Sequence, residues 1–256
     1  MHEISNPLSR ARVGVVGGGR LGGALYAALG EAGVEAVGPA SRGQVPEGCD
    51  AIVLCVPDAE IPAAAATVAG AAPLVGHTSG ATPLRALEPA RADAFGLHPL
   101  QTFAAGARGL AAFAGAGCAV AGTTPAAIAF AADLAGALGM TPFEIDEEGR
   151  AAYHAAASVA SNFLVTLQAA AERIAAGAGL APEDARRLLA PLLRRTLDNL
   201  AELGPEEALT GPVARGDVAT TEAQRRAVAE TAPELLTLFD ELVRHTRSLA
   251  ERRVPA

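Results

Sequence analysis

Val13-Gly14-Val15-Val16-Gly17-Gly18-Gly19-Arg20-Leu21-Gly22 reads as a short buried strand, a glycine turn and the mouth of a helix. Gly17, Gly19 and Gly22 stand at G-x-G-x-x-G spacing, and each has separate work. The first permits a tight turn, the second lets backbone approach a pyrophosphate, and the third lets the helix pack closely on the strand. The free N–H groups and the positive end of that helix then face the phosphates. Spacing alone is weak in a chain with 28 glycines, but the context strengthens it. An apolar strand precedes the turn, and Leu21, Leu25, Ala28, Leu29 and Ala32 follow at i, i+4, i+7, i+8 and i+11, one face of a helix. Gly33 stands where a helix-ending glycine belongs. The stretch predicts a dinucleotide site built from Gly17, Gly18, Gly19, Arg20, Leu21 and Gly22, against the plainer reading of a structural turn.

The next apolar segment, 34–37, reads as a second strand, and Ser41-Arg42 follows it. NAD-binding folds place an acidic residue about 20 positions beyond the glycines, on the ribose 2′-hydroxyl. Here that tip carries a hydroxyl and a guanidinium instead, which suits a 2′-phosphate. Ser41 and Arg42 therefore point to NADP, unless Arg42 is only a solvated surface residue. Segment 50–57 is a continuous apolar run of the kind found inside a parallel sheet. Strands 73–76 and 94–97 follow, each running into a polar tip: His77-Thr78-Ser79-Gly80 and His98-Pro99-Leu100-Gln101-Thr102-Phe103. Strand 117–121, helix 125–138 and strand 141–145 complete the first half. Strands alternating with helices predict an α/β fold, a Rossmann-type doubly wound parallel sheet. Ligands in such sheets lie off the carboxyl ends of the strands. Val56, Pro57, Thr78 and Ser79 accordingly join the expected cofactor set, and His98 falls at the next tip.

Beyond Asp146-Glu147-Glu148-Gly149-Arg150 the pattern contains only helices. One long helix is predicted over 150–176, and a second opens at Pro182 and runs to about 204. An irregular connection, 209–217, follows. Thr221 with Gln224 fits a capping box for a third helix, and Pro233 and Glu234 open the last. The expected division is a nucleotide-binding domain over 1–147 and an all-α domain over 148–256, the latter for substrate and dimerisation.

Composition narrows the function. A net charge of −8, no Trp and two Tyr argue against nucleic acid, which wants basic surface and stacking rings, and against an anionic membrane surface. No run approaches the roughly 20 apolar residues of a membrane span, and residues 1–11 lack the apolar core of a signal peptide. A cytoplasmic protein is expected. Cys49, Cys55 and Cys118 form no C-x-x-C pair, so neither a disulfide framework nor a zinc site is indicated. No G-x-S-x-G elbow occurs. All twenty basic residues are arginine, so no lysine can serve as a general acid or Schiff-base amine.

Three groups could carry chemistry. His98, held extended by Pro99, is a candidate proton donor or substrate ligand, or else a loop tie. His77 reads as structural. His154, Ser158, Ser161 and Asn162 recur at i, i+4, i+7 and i+8, which puts a polar stripe on one face of the long helix. That stripe faces either water or a cleft above the nicotinamide. Tyr153 is adjacent, about a quarter-turn around. In Leu209-Thr210-Gly211-Pro212-Val213-Ala214-Arg215-Gly216-Asp217, Arg215 could clasp a carboxylate. Equally, Arg215 and Asp217 could pair with neighbours and cap helices.

Taken together, these segments resemble bacterial Rossmann-like proteins whose C-terminal half is the domain of unknown function DUF2520. The resemblance rests on residues 13–22, 50–58, 77–80 and 98–103, then Tyr153-His154-Ala155-Ala156, Ala160-Ser161-Asn162 and the 209–217 loop. Members are similar in fold to pyrroline-5-carboxylate reductases and β-hydroxyacid dehydrogenases, and some are described as alternative ketopantoate reductases. In the wider dehydrogenase superfamily a helix lysine stands one turn before an asparagine, and Ser158 occupies that position here. The resemblance implies an NADPH-dependent reductase of a small 2-oxo acid, ketopantoate (2-dehydropantoate) first. His154 or His98 would be the acid, Ser161 and Asn162 would orient the carbonyl, and Arg215, beside Asp217, would hold the carboxylate. Imine reduction is an alternative, because an iminium arrives already protonated; a non-catalytic NADP-binding sensor is another. The alanine-rich helical half is too thin to hide its apolar faces alone, which predicts a homodimer through those helices.

Overall fold

The computed structural model describes residue 8 and residues 10–252, so most of the N-terminal segment read above for a signal lies outside the described residues. The chain forms two compact units, Met1–Ser161 and Asn162–Ala256. The division falls later than the change of composition near 147, because the first helix after that change stays with the sheet.

In the first unit β1 (Arg12–Val16) leads through the glycine turn into α1 (Arg20–Glu31) and back to β2 (Glu35–Ala40). Then follow β3 (Ala51–Leu54), α2 (Ile61–Thr67), β4 (Leu74–His77) and β5 (Asp93–Pro99). The unit ends with β6 (Gly117–Gly122), α3 (Pro125–Ala137), β7 (Thr141–Glu144) and α4 (Arg150–Ala160). The strands form one seven-stranded sheet in the order β2-β1-β3-β4-β5-β6-β7. Every neighbouring pair is parallel except β5–β6. The expected doubly wound parallel sheet is the one found, with that single antiparallel pair in it. Its connection holds only a 3₁₀ turn at Leu110–Ala112, and a parallel return would call for a crossover helix.

Alternation along the strands builds two cores. Val13, Val15, Val53, Phe95 and Leu97 face α1 and α3, while Val16, Ile52, Leu54 and Val75 face α2. Neighbours such as Val53 and Leu54 point to opposite sides because side chains alternate across a strand. Both faces are covered, which is why β3 reads as an unbroken apolar run. On α1 the predicted stripe is the buried one: Leu25, Ala28 and Leu29 are sealed. The order of strands reverses between β1 and β3, the switch point where α/β sheets leave a crevice.

The single helix expected over 150–176 is two helices. Ser161 adopts φ −118°, ψ −73° and ends α4, and α5 (Asn162–Ala175) begins at the next residue. Ser and Asn side chains compete for backbone hydrogen bonds, and two in succession weaken a helix interior. The polar stripe is therefore interrupted: His154 and Ser158 are half-buried on α4, whereas Ser161 and Asn162 are exposed at the break.

The second unit continues with α6 (Pro182–Leu203), α7 (Pro205–Ala208), α8 (Val218–Thr231) and α9 (Leu236–Glu251). The capping box expected at Thr221 and Gln224 is corrected. Asp217 is the N-cap of α8, its carboxylate accepting from the Thr220 amide at 3.0 Å. Thr221 lies buried in the first turn and donates its hydroxyl to the Asp217 carbonyl. The sequence favours this because an Asp at N-cap satisfies a free amide at the positive helix end. No helix among the described residues is long and apolar enough to cross a membrane.

Candidate functional site

The glycine turn has the form that its spacing requires. Gly17 has φ +100°, and a Cβ there would lie 2.3 Å from the Cys55 carbonyl at the end of β3. A Cβ on Gly22 would lie 1.9 Å from the Gly17 carbonyl, so the turn and the helix seat on one another only as glycines. Gly19 differs: a side chain there would meet nothing within 4 Å. The space above it is open. Gly19 is also the N-cap of α1, with no side-chain cap and no acidic residue in the first turn. The helix thus presents uncapped amides and an uncompensated positive end, the arrangement that binds phosphate oxygens. Gly18, Gly19 and Arg20 are exposed around it, and Leu21 is half-buried.

Ser41 and Arg42 follow the end of β2 and are both exposed. The Ser41 amide donates to Gln44 Oε1, and Arg42 pairs with Glu60 at 2.6 Å. Arg42 keeps 82% of its side chain in solvent, and an exposed pair of this kind is worth little. Its guanidinium can exchange that partner for a phosphate. Open backbone over Gly19 and a cation at the β2 tip fit a dinucleotide carrying a 2′-phosphate. Val56 packs beside Gly17, and Pro57 begins the 3₁₀ turn ahead of α2.

A second cluster lies where Arg150 and Tyr153 of α4 meet residues of β5 and β6. His98 belongs to β5 itself, paired opposite Ala119, rather than to a loop beyond a strand ending at 97. Its Nδ1 lies 2.6 Å from the Tyr153 hydroxyl. The two rings meet edge to face at 5.5 Å, and Phe143 of β7 flanks Tyr153 at 5.9 Å. His154 stands further off, its ring 6.1 Å from His98. The partner of His98 is thus Tyr153, which the sequence reading kept behind His154. The signal available was Arg150, Tyr153 and His154 at i, i+3 and i+4, one face opening a helix. Gly80 makes room for the imidazole: a Cβ there would lie 2.7 Å from His98 Cε1.

This cluster is dry and poor in acids. Ser79, Gly96, His98, residues 119–121, Ile145, Arg150 and Tyr153 line a crevice too narrow for water. Burial, then His154 and Arg150 nearby, push the His98 pKa down to about 4 against an opposing pull from Asp58. Burial, then Cys118, push the Tyr153 phenol up to about 12, with Arg150 opposing. At neutral pH the pair is a neutral imidazole on a neutral phenol. If the proton rides on His98 Nδ1, that N–H donates to the phenolic oxygen and leaves the phenolic proton free for another acceptor.

The remaining candidates have local partners. The Ser79 hydroxyl accepts from the amides of Ala81 and Thr82 and donates to Thr82 Oγ1 at 2.9 Å, which closes its turn. Thr78 lies against the Cys55 thiol, which burial pushes up to about 12. His77 is fully buried, its Nδ1 accepting from the Ser79 amide. Burial, then Arg150, lower its pKa to about 4. In the second unit the loop closes on itself through backbone bonds from Arg215 to Gly211 and from Asp217 to Pro212. There Asp217 caps α8, and the exposed Arg215 helps to hold its carboxyl low, after the hydrogen bonds from Thr220. Among the described residues no group of three or more His, Cys, Asp or Glu is placed to hold a metal ion.

A family model described as "Domain of unknown function (DUF2520)" matches residues 116–246. No curated protein matches the sequence. Solved structures share the fold over almost the whole chain. One, from Bacteroides fragilis and provisionally named an NADP oxidoreductase, superposes with TM-score 0.78 at 20% identity, covering 94% of this chain and 99% of its own. A Thermotoga maritima protein without an activity in its name gives 0.73 at 25% identity, covering 93% and 98%. The pyrroline carboxylate reductase of Plasmodium falciparum, solved with NADP bound, gives 0.62 at 12% identity, covering 95% and 99%.

Proposed function

This chain belongs to the DUF2520 family, and from that premise we propose that it is an NADPH-dependent reductase of a small 2-oxo acid, with ketopantoate the first substrate to assay. The observation that carries this reading is the 2.6 Å contact of Tyr153 with a neutral His98, set in the same unit as an uncapped, open glycine turn. The named activities of its structural neighbours, an NADP oxidoreductase and a pyrroline carboxylate reductase, support the NADP-dependent reductase part of this reading and not the choice of substrate.

Gly17, Gly19 and Gly22 would carry the pyrophosphate, and Ser41 with Arg42 the 2′-phosphate. When bound, NADPH supplies a hydride to the carbonyl carbon. The chain's own task is to meet the charge that grows on the carbonyl oxygen. Tyr153 is suited to it: an alkoxide is a stronger base than a phenolate, so a phenol raised to about 12 still gives up its proton downhill. His98 donating from Nδ1 then holds the phenolate that results. This makes Tyr153 the donor and His98 its support, in place of His154.

Pyrroline carboxylate reduction, named for a neighbour, keeps an imine substrate in view. The buried Arg150 cation beside the crevice weighs against a cationic iminium. Oxidation of NADPH with ketopantoate against a cyclic imine separates the two. Tyr153→Phe should lower kcat on the order of 10²- to 10⁴-fold with NADPH affinity unchanged, and unaltered turnover in both Tyr153→Phe and His98→Ala would remove the proposed donor. Tight NADPH binding without turnover on any oxo acid or imine would favour the sensor reading.

A further inference from the structure

The carboxylate that the sequence leaves out of the β2 tip is supplied from elsewhere in the fold. Glu60 follows Arg42 by 18 positions, yet its Oε1 lies 2.6 Å from Arg42 Nη2. Sheet order explains the meeting. β2 and β3 flank β1 and run parallel to it, so their carboxyl ends open at one edge, on either side of the glycine turn. The ion pair joins those two tips.

Both partners stand on anchored backbone. Arg42 belongs to a turn closed twice between Ser41 and Gln44. The Gln44 amide donates to the Ser41 carbonyl at 3.0 Å, and the Ser41 amide donates to Gln44 Oε1 at 2.9 Å. Glu60 ends the 3₁₀ turn Asp58–Glu60, its amide donating to the Pro57 carbonyl at 2.8 Å. The next residue, Ile61, is sealed in the core. The carboxylate is therefore carried on a fixed base beside the dinucleotide site.

It acts on the two nicotinamide cofactors in opposite senses. A 2′-phosphate that reaches Arg42 must displace Glu60, and then stands beside an anion of like charge. A 2′-hydroxyl displaces nothing. A carboxylate accepts from it, as the acidic residue of NAD-binding folds does, and the contact with Arg42 engages only Oε1. We infer that Glu60 sets the choice of cofactor, opposing NADPH and favouring NADH, so that Arg42 gives NADPH only a narrow preference. The inference rests on reading Gly17 to Gly22 and Arg42 as the dinucleotide site, and it is independent of the substrate.

The test measures Kd for NADPH and for NADH by nucleotide fluorescence in the wild type, Glu60→Gln, Glu60→Ala, Arg42→Ala and Asp58→Asn. An exposed pair contributes little to stability, so the Glu60 and Arg42 variants keep the fold. Glu60→Gln frees Arg42 while keeping an acceptor, and NADPH should bind about fivefold tighter, with NADH slightly weaker. Glu60→Ala should give the same gain for NADPH and weaken NADH about tenfold. Arg42→Ala should weaken NADPH and spare NADH. Asp58→Asn removes the neighbouring exposed carboxylate of the same turn without freeing Arg42. It should shift the ratio of the two affinities far less than Glu60→Gln does. A ratio that keeps its wild-type value in both Glu60 variants, or that moves as far in Asp58→Asn, overturns the inference and leaves the dinucleotide site standing. A wild type that binds neither nucleotide removes the site itself, and the inference with it.

Discussion

The two units treat their apolar residues differently. In the sheet unit Leu25, Leu29, Ile52, Leu54, Phe95, Leu97, Phe113, Leu134 and Leu138 are all sealed from solvent, on two covered faces. Among the described residues of the helical unit the buried ones are Ala185, Thr221, Val228 and Ala232, small or medium side chains, while Leu192 stays 64% and Leu203 56% exposed. Leu188, Leu192, Leu200 and Leu203 of α6, at i, i+4, i+12 and i+15, share about a third of the helix circumference. A sheet with helices on both sides closes its own core. A short helical array with alanine at its centre cannot, and we propose that a second copy of the chain covers that α6 face. An apolar stripe of this extent is unusual on a monomer.

The contrast predicts where truncation hurts. Phe95→Ala empties the centre of the sheet unit, where the ring touches Phe130 at 5.3 Å and lies against the space left by Gly76. The cost should be about 3–5 kcal/mol. Native-state hydrogen exchange resolves it by unit: amides of β3 to β5 should lose protection, and those of α8 and α9 should keep theirs. Equal loss in both units would mean that they unfold as one.

Acid should sharpen the same contrast. His77 is fully buried with its pKa lowered to about 4, so the unfolded chain takes up a proton in a range where the folded one does not. Its stabilising effect is complete above about pH 6.5 and is lost as pH falls towards 4. Between pH 7 and pH 5 the sheet unit should lose about 2 kcal/mol, and His98, shifted the same way, adds in the same direction. The helical unit holds no buried histidine among its described residues. Hydrogen exchange at the two pH values should therefore weaken β4 and β5 selectively, and His77→Gln should flatten that dependence. A loss spread evenly over both units would contradict it.

The sheet was legible because its signals are local and redundant: period-two burial, glycines at fixed offsets and apolar runs bounded by turns all agree. The antiparallel β5–β6 pair was not, since strand direction depends on what the connection contains, and an absent helix leaves no positive mark. Ser161 ended a helix that periodicity carried through it. A break at two competing polar side chains is subtler than one at Gly or Pro. In the candidate site, the sequence marked His98 and put His154 ahead of Tyr153, whereas the side chain against His98 is Tyr153. His98 meets Tyr153 across 55 residues of sequence, a tertiary contact that no local spacing encodes. Arg150 passed as a helix start because burial of one long side chain is a tertiary fact. Asp217 at the cap of α8 was among the alternatives read from its loop, although the capping box was placed at Thr221.

The smallest effect expected is the one that tests the exposed side of the comparison. Leu192 is 64% exposed in one chain, so Leu192→Ala removes few contacts from an isolated copy and should leave its own unfolding nearly unchanged. If a second copy covers the α6 face, the same truncation forfeits burial that only the dimer provides, about 1 kcal/mol per copy. The effect should then be read as a weaker dimer, by light scattering across a dilution series, with the Phe95→Ala loss unaffected by dilution. Dissociation at higher concentration than the wild type, with unchanged exchange in the sheet unit, is the expected pair of results. A wild type that is monomeric at every concentration would mean that the helical unit tolerates its exposed leucines, and the difference between the two units would then be one of core size alone.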